Sequence, residues 1–191
     1  MQKNKNSRFT VRRIALDAVL IALYVILGFW KIPIGNLLRV NLASFAVVVC
    51  AVTFSPLDGL VVGFMGEFLS QVLGPYGLTP TTLLWAAPEA VRGLMLGSIM
   101  LLFNRRNLTA DRLLKTRALV WFLAACVITG VIASGVNTLA LYVDSKMYGY
   151  YNAYMVFGVL GVRLGMAAVM SGLFGYVSLH IAGAMRRNKI L

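Results

Sequence analysis

Acidic side chains are scarce in this chain of 191 residues: Asp and Glu number 6 against 18 Lys and Arg, with one histidine and two cysteines. So few carboxylates, imidazoles and thiols leave little from which to build a catalytic or metal-binding cluster. The one histidine, His180, has no partner at H-E-x-x-H spacing, and there is no G-x-S-x-G nucleophile elbow. The G-x-x-x-x-G-K-[ST] phosphate loop is also missing, which excludes ATP hydrolysis by this chain. No catalytic residue and no metal ligand is expected. Cys50 and Cys126 lie inside apolar runs, without partners at ligand spacing. They read as small packing residues, and no disulfide is implied.

Charge of either sign is thin as well, at 13% of residues, while 60% are hydrophobic and the mean hydropathy is +0.81. Soluble domains average about 45–50% apolar and about 25% charged. The excess of apolar residues exceeds what one aqueous core can hold, and lipid is its natural solvent. A span needs roughly 20 apolar residues, so the length suits about six spans with short loops and leaves no room for a nucleotide-binding domain. The predicted fold class is an all-α membrane protein, one compact bundle of six transmembrane helices.

Apolar runs and their punctuation place these helices at about residues 11–30, 40–54, 57–73, 82–103, 118–143 and 155–185. The basic segment before the first run could begin a signal peptide. The run from Ile14 to Trp30 is long, however, and meets Lys31-Ile32-Pro33 rather than a small-x-small cleavage site, so it reads as a retained helix. Helices 2 and 3 are short, and the junction Ser55-Pro56-Leu57-Asp58 is too tight for a large loop. The favoured reading is two spans joined by a cytoplasmic turn, and the other is one broken pair.

The formal net charge of +12 could suggest nucleic acid, but the basic residues sit between apolar runs and share no polar face. With the N-terminus inside, the inner segments hold Lys3, Lys5, Arg8, Arg12, Arg13, Arg105, Arg106, Arg112, Lys115, Arg117, Arg186, Arg187 and Lys189. The outer loops hold Lys31, Arg39 and Lys146, and Arg92 and Arg163 lie within spans. This asymmetry puts both termini in the cytoplasm and removes the need for a nucleic-acid partner. The segment Arg105–Arg117 reads as a headgroup-facing loop, with docking of a cytoplasmic subunit as the alternative.

Ionisable groups inside a bilayer cost a few kcal/mol each (about 2.5–3.5 at a helix centre), so they pair or face a cavity. Asp17, Glu67, Glu89, Arg92 and Arg163 are in that position. Glu89 and Arg92 are three apart, on one helix face; they form either a self-compensating pair that orients helix 4 or a contact with solute. Asp17 is expected to make an interfacial salt bridge with Arg12 or Arg13.

Polar and aromatic groups gather toward the outer half, as a small-molecule pocket requires. The candidate solute-binding residues are Lys31, Asn36, Arg39 and Asn41 at the first outer loop and helix 2, with Ser44 nearby, and Glu67 and Gln71 in helix 3. Tyr76, Thr79, Thr81, Thr82, Trp85 and Arg92 follow at the second outer loop and helix 4. Asn137, Tyr148 and Tyr151 lie in helix 5 and the third outer loop. The tyrosines also fit an interfacial aromatic belt. Small residues at four-residue spacing, Ala18 and Ala22 with Ala15 nearby, and Gly161 with Gly165, suit close approach of two helices.

Four segments then carry a resemblance. They are Ala15-Leu-Asp-Ala18-Val-Leu-Ile-Ala22-Leu, Gly35-Asn-Leu-Leu-Arg39-Val-Asn-Leu, Phe54-Ser-Pro56-Leu-Asp-Gly59-Leu-Val-Val-Gly63, and Tyr76-Gly-Leu-Thr79-Pro-Thr-Thr-Leu-Leu-Trp85 followed by Arg92-Gly93. In this order, over nearly the whole chain, they resemble the substrate-binding S components of energy-coupling factor (ECF) transporters. The resemblance implies a bacterial inner-membrane, multi-pass subunit that captures a vitamin from outside, holds no covalent cofactor and is not an enzyme. It implies a transmembrane coupling (T) subunit and two ATPase subunits as partners, with Ala15, Ala18 and Ala22 on the coupling face. It also implies a solute in the outer half of the bundle, delivered by toppling of the whole subunit. The segment from Tyr76 to Trp85 is similar to members with cobalamin-type cargo, so cobalamin or a related corrinoid is the expected solute. The segment around Arg39 is similar to the folate branch, which leaves folate, or a pantothenate-like vitamin, as the alternative. Two other classes remain: a self-sufficient secondary carrier, which would show internal repeats or broken midplane helices, and a structural membrane protein without solute.

Overall fold

The computed structural model describes residues 11–34, 38–75 and 77–188, with backbone alone at 31–34 and 38–40. Its elements are α1 (Val11–Phe29), β1 (Lys31–Ile34), β2 (Leu38–Asn41), α2 (Ser44–Thr53), α3 (Pro56–Val72), α4 (Thr82–Arg105), α5 (Ala110–Leu113), α6 (Ala118–Met147) and α7 (Leu160–Arg187). A π-helical turn, Tyr154–Gly158, leads into α7. The helices α4, α6 and the segment from Tyr154 through α7 are each long and apolar enough to cross a membrane.

Two expectations about helix 2 change. Residues 31–34 and 38–41 are not a loop and a helix start but an antiparallel hairpin, with Lys31 opposite Asn41 and Ile34 opposite Leu38. Alternating Ile32, Ile34 and Val40 suit that pairing, and Pro33 is tolerated because the two-stranded ribbon is all edge. Helix α2 is therefore only ten residues long, about 15 Å at 1.5 Å per residue, against a hydrocarbon core of about 30 Å. Nine of its ten residues are buried, so it is an inner strut. It touches α1, α3, α4 and α7.

The α2–α3 junction follows from its sequence. Ser55 caps α3, with Pro56 at the first turn, and its hydroxyl donates to Asp58 Oδ2 at 2.9 Å. The same Oδ2 receives Arg13 Nε of α1 at 2.7 Å. The expected Asp17 salt bridge is thus not made to Arg13. Arg13 reaches across to Asp58, while Asp17 accepts a long thiol contact from Cys50 at 3.7 Å. Both cysteines are buried and free.

Helices α3 and α4 pack with their backbones nearly touching. A Cβ placed on Gly59 would lie 2.7 Å from the Gly93 carbonyl oxygen, and one on Gly97 2.6 Å from Pro56 Cα. The glycines permit an approach that no side chain would allow. Gly161 and Gly165 behave differently: open space surrounds both, so this pair packs against no helix of the described residues. The largest buried cluster, with Val52, Leu96, Met100, Leu113, Phe122 and Leu179, joins α2, α4, α5, α6 and α7. Residues such as Val120, Trp121, Ile128, Leu139, Val169 and Leu173 point outward, an apolar exterior suited to lipid.

Candidate solute-binding site

A cavity of about 460 Å³ opens between α2, α3, α4, α6 and α7. Asn41 and Ser44 come from the approach to α2, and Glu67 from α3. Trp85, Pro88, Glu89 and Arg92 line it from α4, and Ala133, Ser134, Asn137 and Leu141 from α6. The α7 wall is Arg163, Met166, Ala167, Met170 and Phe174. Trp85 and Phe174 supply aromatic surface, Met166 and Met170 adaptable apolar surface.

The cavity's charged groups divide into two settings. Glu67 is held from both sides, accepting from the Tyr24 hydroxyl at 2.6 Å and the Gln71 amide at 2.7 Å. Glu89 accepts from the Ser44 hydroxyl at 2.8 Å through Oε1, while Oε2 lies 3.3 Å from Arg92 Nε. That second contact is an ion pair without hydrogen-bond alignment, since neither Oε2 nor Arg92 Nε has a hydrogen-bond partner. Arg163 donates through Nη2 to the Met155 carbonyl of the π-turn at 3.2 Å, and its buried Nη1 has no partner. Buried polar atoms are nearly always bonded. Three that are not, Glu89 Oε2, Arg92 Nε and Arg163 Nη1, belong to residues lining one cavity but lie just behind its surface.

Above the cavity, three donors converge on one carboxylate. Asp144 Oδ1 accepts from the Thr81 hydroxyl at 2.5 Å and from Trp85 Nε1 at 3.3 Å, and Oδ2 accepts from the Tyr150 hydroxyl. This ties the start of α4 to the end of α6 and to the tyrosine-rich segment that follows it, residues 148–154.

Of the residues singled out from sequence, Asn41, Ser44, Glu67, Trp85, Glu89, Arg92, Asn137 and Arg163 meet at the cavity wall. Gln71 stands behind Glu67. Thr79, Thr81 and Thr82 bond among themselves, with the Thr79 N–H donating to Thr82 Oγ1 at 2.9 Å, and build the turn into α4. Tyr151 stacks edge-on against Tyr142 with Lys146 Nζ 4.0 Å from its ring centroid, and Tyr148 is exposed; neither lines the cavity. Asn36 and Tyr76 lie outside the described residues, as do the side chains of Lys31 and Arg39. Ala15, Ala18 and Ala22 share the exposed face of α1. Apart from Arg163, the α7 wall was missed. Its signal was present as one helical stripe, Arg163, Met166, Ala167, Met170 and Phe174, at spacings of three and four.

A family profile described as "ECF-type riboflavin transporter, S component" matches residues 8–177. No curated protein matches the chain. Solved structures share the fold, and two of them are S components. One, described as the S component for biotin from an ECF-type ABC transporter, is 16% identical with a TM-score of 0.64, covering 98% of this chain and 95% of its own. The other, the S component of a bacterial ECF transporter, is 19% identical with a TM-score of 0.57, covering 91% and 96%. The family description names riboflavin and gives no support to cobalamin, folate or pantothenate as the solute. Within the segment on which cobalamin rested, Thr79, Thr81 and Thr82 build the turn into α4, Thr81 and Trp85 bond Asp144, and Trp85 lines the cavity. By the match over most of its length, this chain belongs to the family of ECF-type riboflavin transporter S components.

Proposed function

We propose that this chain is the riboflavin-capturing S subunit of an ECF importer. The observation that carries the reading is the cavity, in a chain of this family. Its volume of about 460 Å³ lies within the range of about 300–1,000 Å³ typical of small-molecule sites. A tricyclic ring with a polyol tail is of that size, whereas a corrinoid with its nucleotide arm is larger. Trp85 and Phe174 provide aromatic surface for a flat ring. An imide edge, with two carbonyl acceptors and one N–H donor, has the chemistry to meet the Arg92 and Arg163 guanidinium groups and the Glu89 carboxylate, all on residues of the cavity wall. Asn41, Ser134 and Asn137 remain for the hydroxyls of a polyol.

In this reading both termini face the cytoplasm and the cavity opens toward the outside of a bacterial plasma membrane. The basic segment Arg105–Arg117 then sits among inner headgroups. A T component docks on α1 across Ala15, Ala18 and Ala22, whose small side chains admit a close helix. Two ATPase subunits supply the energy, and the chain catalyses no reaction itself.

The test is uptake of labelled riboflavin by cells that lack their own importer. Accumulation should require this chain together with the T and ATPase subunits. Accumulation with this chain alone would make it a self-sufficient carrier. No accumulation with the full set, from a chain shown to be in the membrane, would remove the reading.

A further inference from the structure

We infer that Asp144 is a positioning residue for the solute site: it touches no cavity surface, and it sets the plane of Trp85, which does. The inference rests on the riboflavin reading above. Trp85 lines the cavity and also donates its indole N–H to Asp144 Oδ1 at 3.3 Å. The carboxylate is nearly buried at the outer end of α6. Among the described residues no cation pairs with it. Its acceptors are taken up by three neutral donors, Thr81 at 2.5 Å, Trp85, and Tyr150 from the tyrosine-rich segment.

An indole is a large flat ring with two side-chain torsions, and its N–H is its one polar handle. A charged acceptor gives that handle a stronger bond than a neutral one would. The anchor is itself fixed by Thr81 four residues before Trp85 on the same chain, so Asp144 holds both the first turn of α4 and the ring that turn carries. Preorganising an aromatic wall spares a ligand the cost of ordering it. Tyr150 bonds the same carboxylate, so the segment after α6 helps hold the anchor in place.

The test is a titration of the purified protein with riboflavin, read by flavin fluorescence, for the natural chain, Asp144→Asn, Trp85→Phe and the double variant. A flat indole against the flavin ring quenches its emission. Asp144→Asn should bind about tenfold more weakly, and its saturated complex should be brighter than that of the natural chain. In the Trp85→Phe background, which has no N–H to hold, Asp144→Asn should add little further loss, since residues acting through one another are non-additive. A loss of equal size in both backgrounds, or an unchanged emission at saturation, would show a structural role only and overturn the inference. Should Asp144→Asn not fold, Tyr150→Phe, which removes one donor that steadies the carboxylate, takes its place: weaker binding that is absent in the Trp85→Phe background supports the inference, and unchanged binding, or an equal loss in both backgrounds, overturns it. Failure of the natural chain to bind riboflavin would refute the riboflavin reading itself, a separate result.

Discussion

Ser44 on α2 donates its hydroxyl to Oε1 of Glu89 on α4 at 2.8 Å. The carboxylate is held by a neutral donor from one helix and, 3.3 Å from its other oxygen, by the Arg92 guanidinium of its own. The inner strut α2 thereby fixes the charged edge of the cavity. Glu89→Gln keeps the shape and removes the charge that balances Arg92. Riboflavin binding should weaken by tenfold or more, about 1.4 kcal/mol, in a fluorescence titration. Arg92→Met should weaken it at least as much, because it leaves Glu89 buried without its cation.

Arg13 and Asp58 pin the N-terminal end of α1 to the α2–α3 junction, and Asp58 is nearly fully buried. Removing one partner of a buried ion pair costs about 3–5 kcal/mol. Arg13 is partly exposed, so Asp58→Ala should fall at or below the lower end of that range. Thermal unfolding in detergent should show a lowered midpoint, while Ser55→Ala, which removes the cap and the hydroxyl's bond to Asp58 Oδ2 but leaves the ion pair, should cost about 1–2 kcal/mol.

The α3–α4 contact is intolerant of side chains at its centre. A Cβ on Gly93 would overlap the Gly59 carbonyl. Gly93→Val should therefore separate the helices, at a cost of at least the about 1–3 kcal/mol of an overpacked core. Gly165→Ala, where nothing lies within 4 Å, should leave the midpoint unchanged or raise it, since alanine favours a helix interior over glycine by up to about 1 kcal/mol. The two variants measured side by side distinguish a packing glycine from a permissive one.

Helix α1 exposes Ala15, Ala18 and Ala22 on one face, while Asp17, Tyr24 and Gly28 are buried on the other. Ala18→Trp or Ala22→Trp should abolish uptake in cells and leave solute affinity within twofold of the natural chain. Unchanged uptake in both variants would remove α1 as the coupling surface.

Much of this was legible in the residues, because apolar run length and punctuation are strong signals. Helices α3, α4 and α6 begin within a residue of where Ser55-Pro56, Thr81-Thr82 and Arg117 place them. The hairpin was not legible, because Lys31 to Asn41 is a polar, turn-rich stretch whose alternation covers only four residues a strand. For the cavity, Asn41, Glu67, Trp85, Arg92 and Asn137 were found as polar or aromatic groups amid apolar runs. The α7 wall was not, because methionine, alanine and phenylalanine in an apolar helix look the same whether they face lipid, core or cavity. Arg163 marked that helix, but its neighbours at three and four residues were not followed. Asp144 was placed in a loop, whereas α6 continues to Met147, so its bond to Trp85 had no visible basis in sequence.

The central claim is that the cavity beneath Trp85 receives riboflavin. Titration of the purified, detergent-solubilised chain with riboflavin, alongside biotin, folate and cobalamin, tests it most directly. The account predicts saturable binding of one riboflavin per chain, weakened by Glu89→Gln, with the other vitamins failing to compete. A folded chain that ignores riboflavin, or that binds another of these vitamins more tightly, would contradict it.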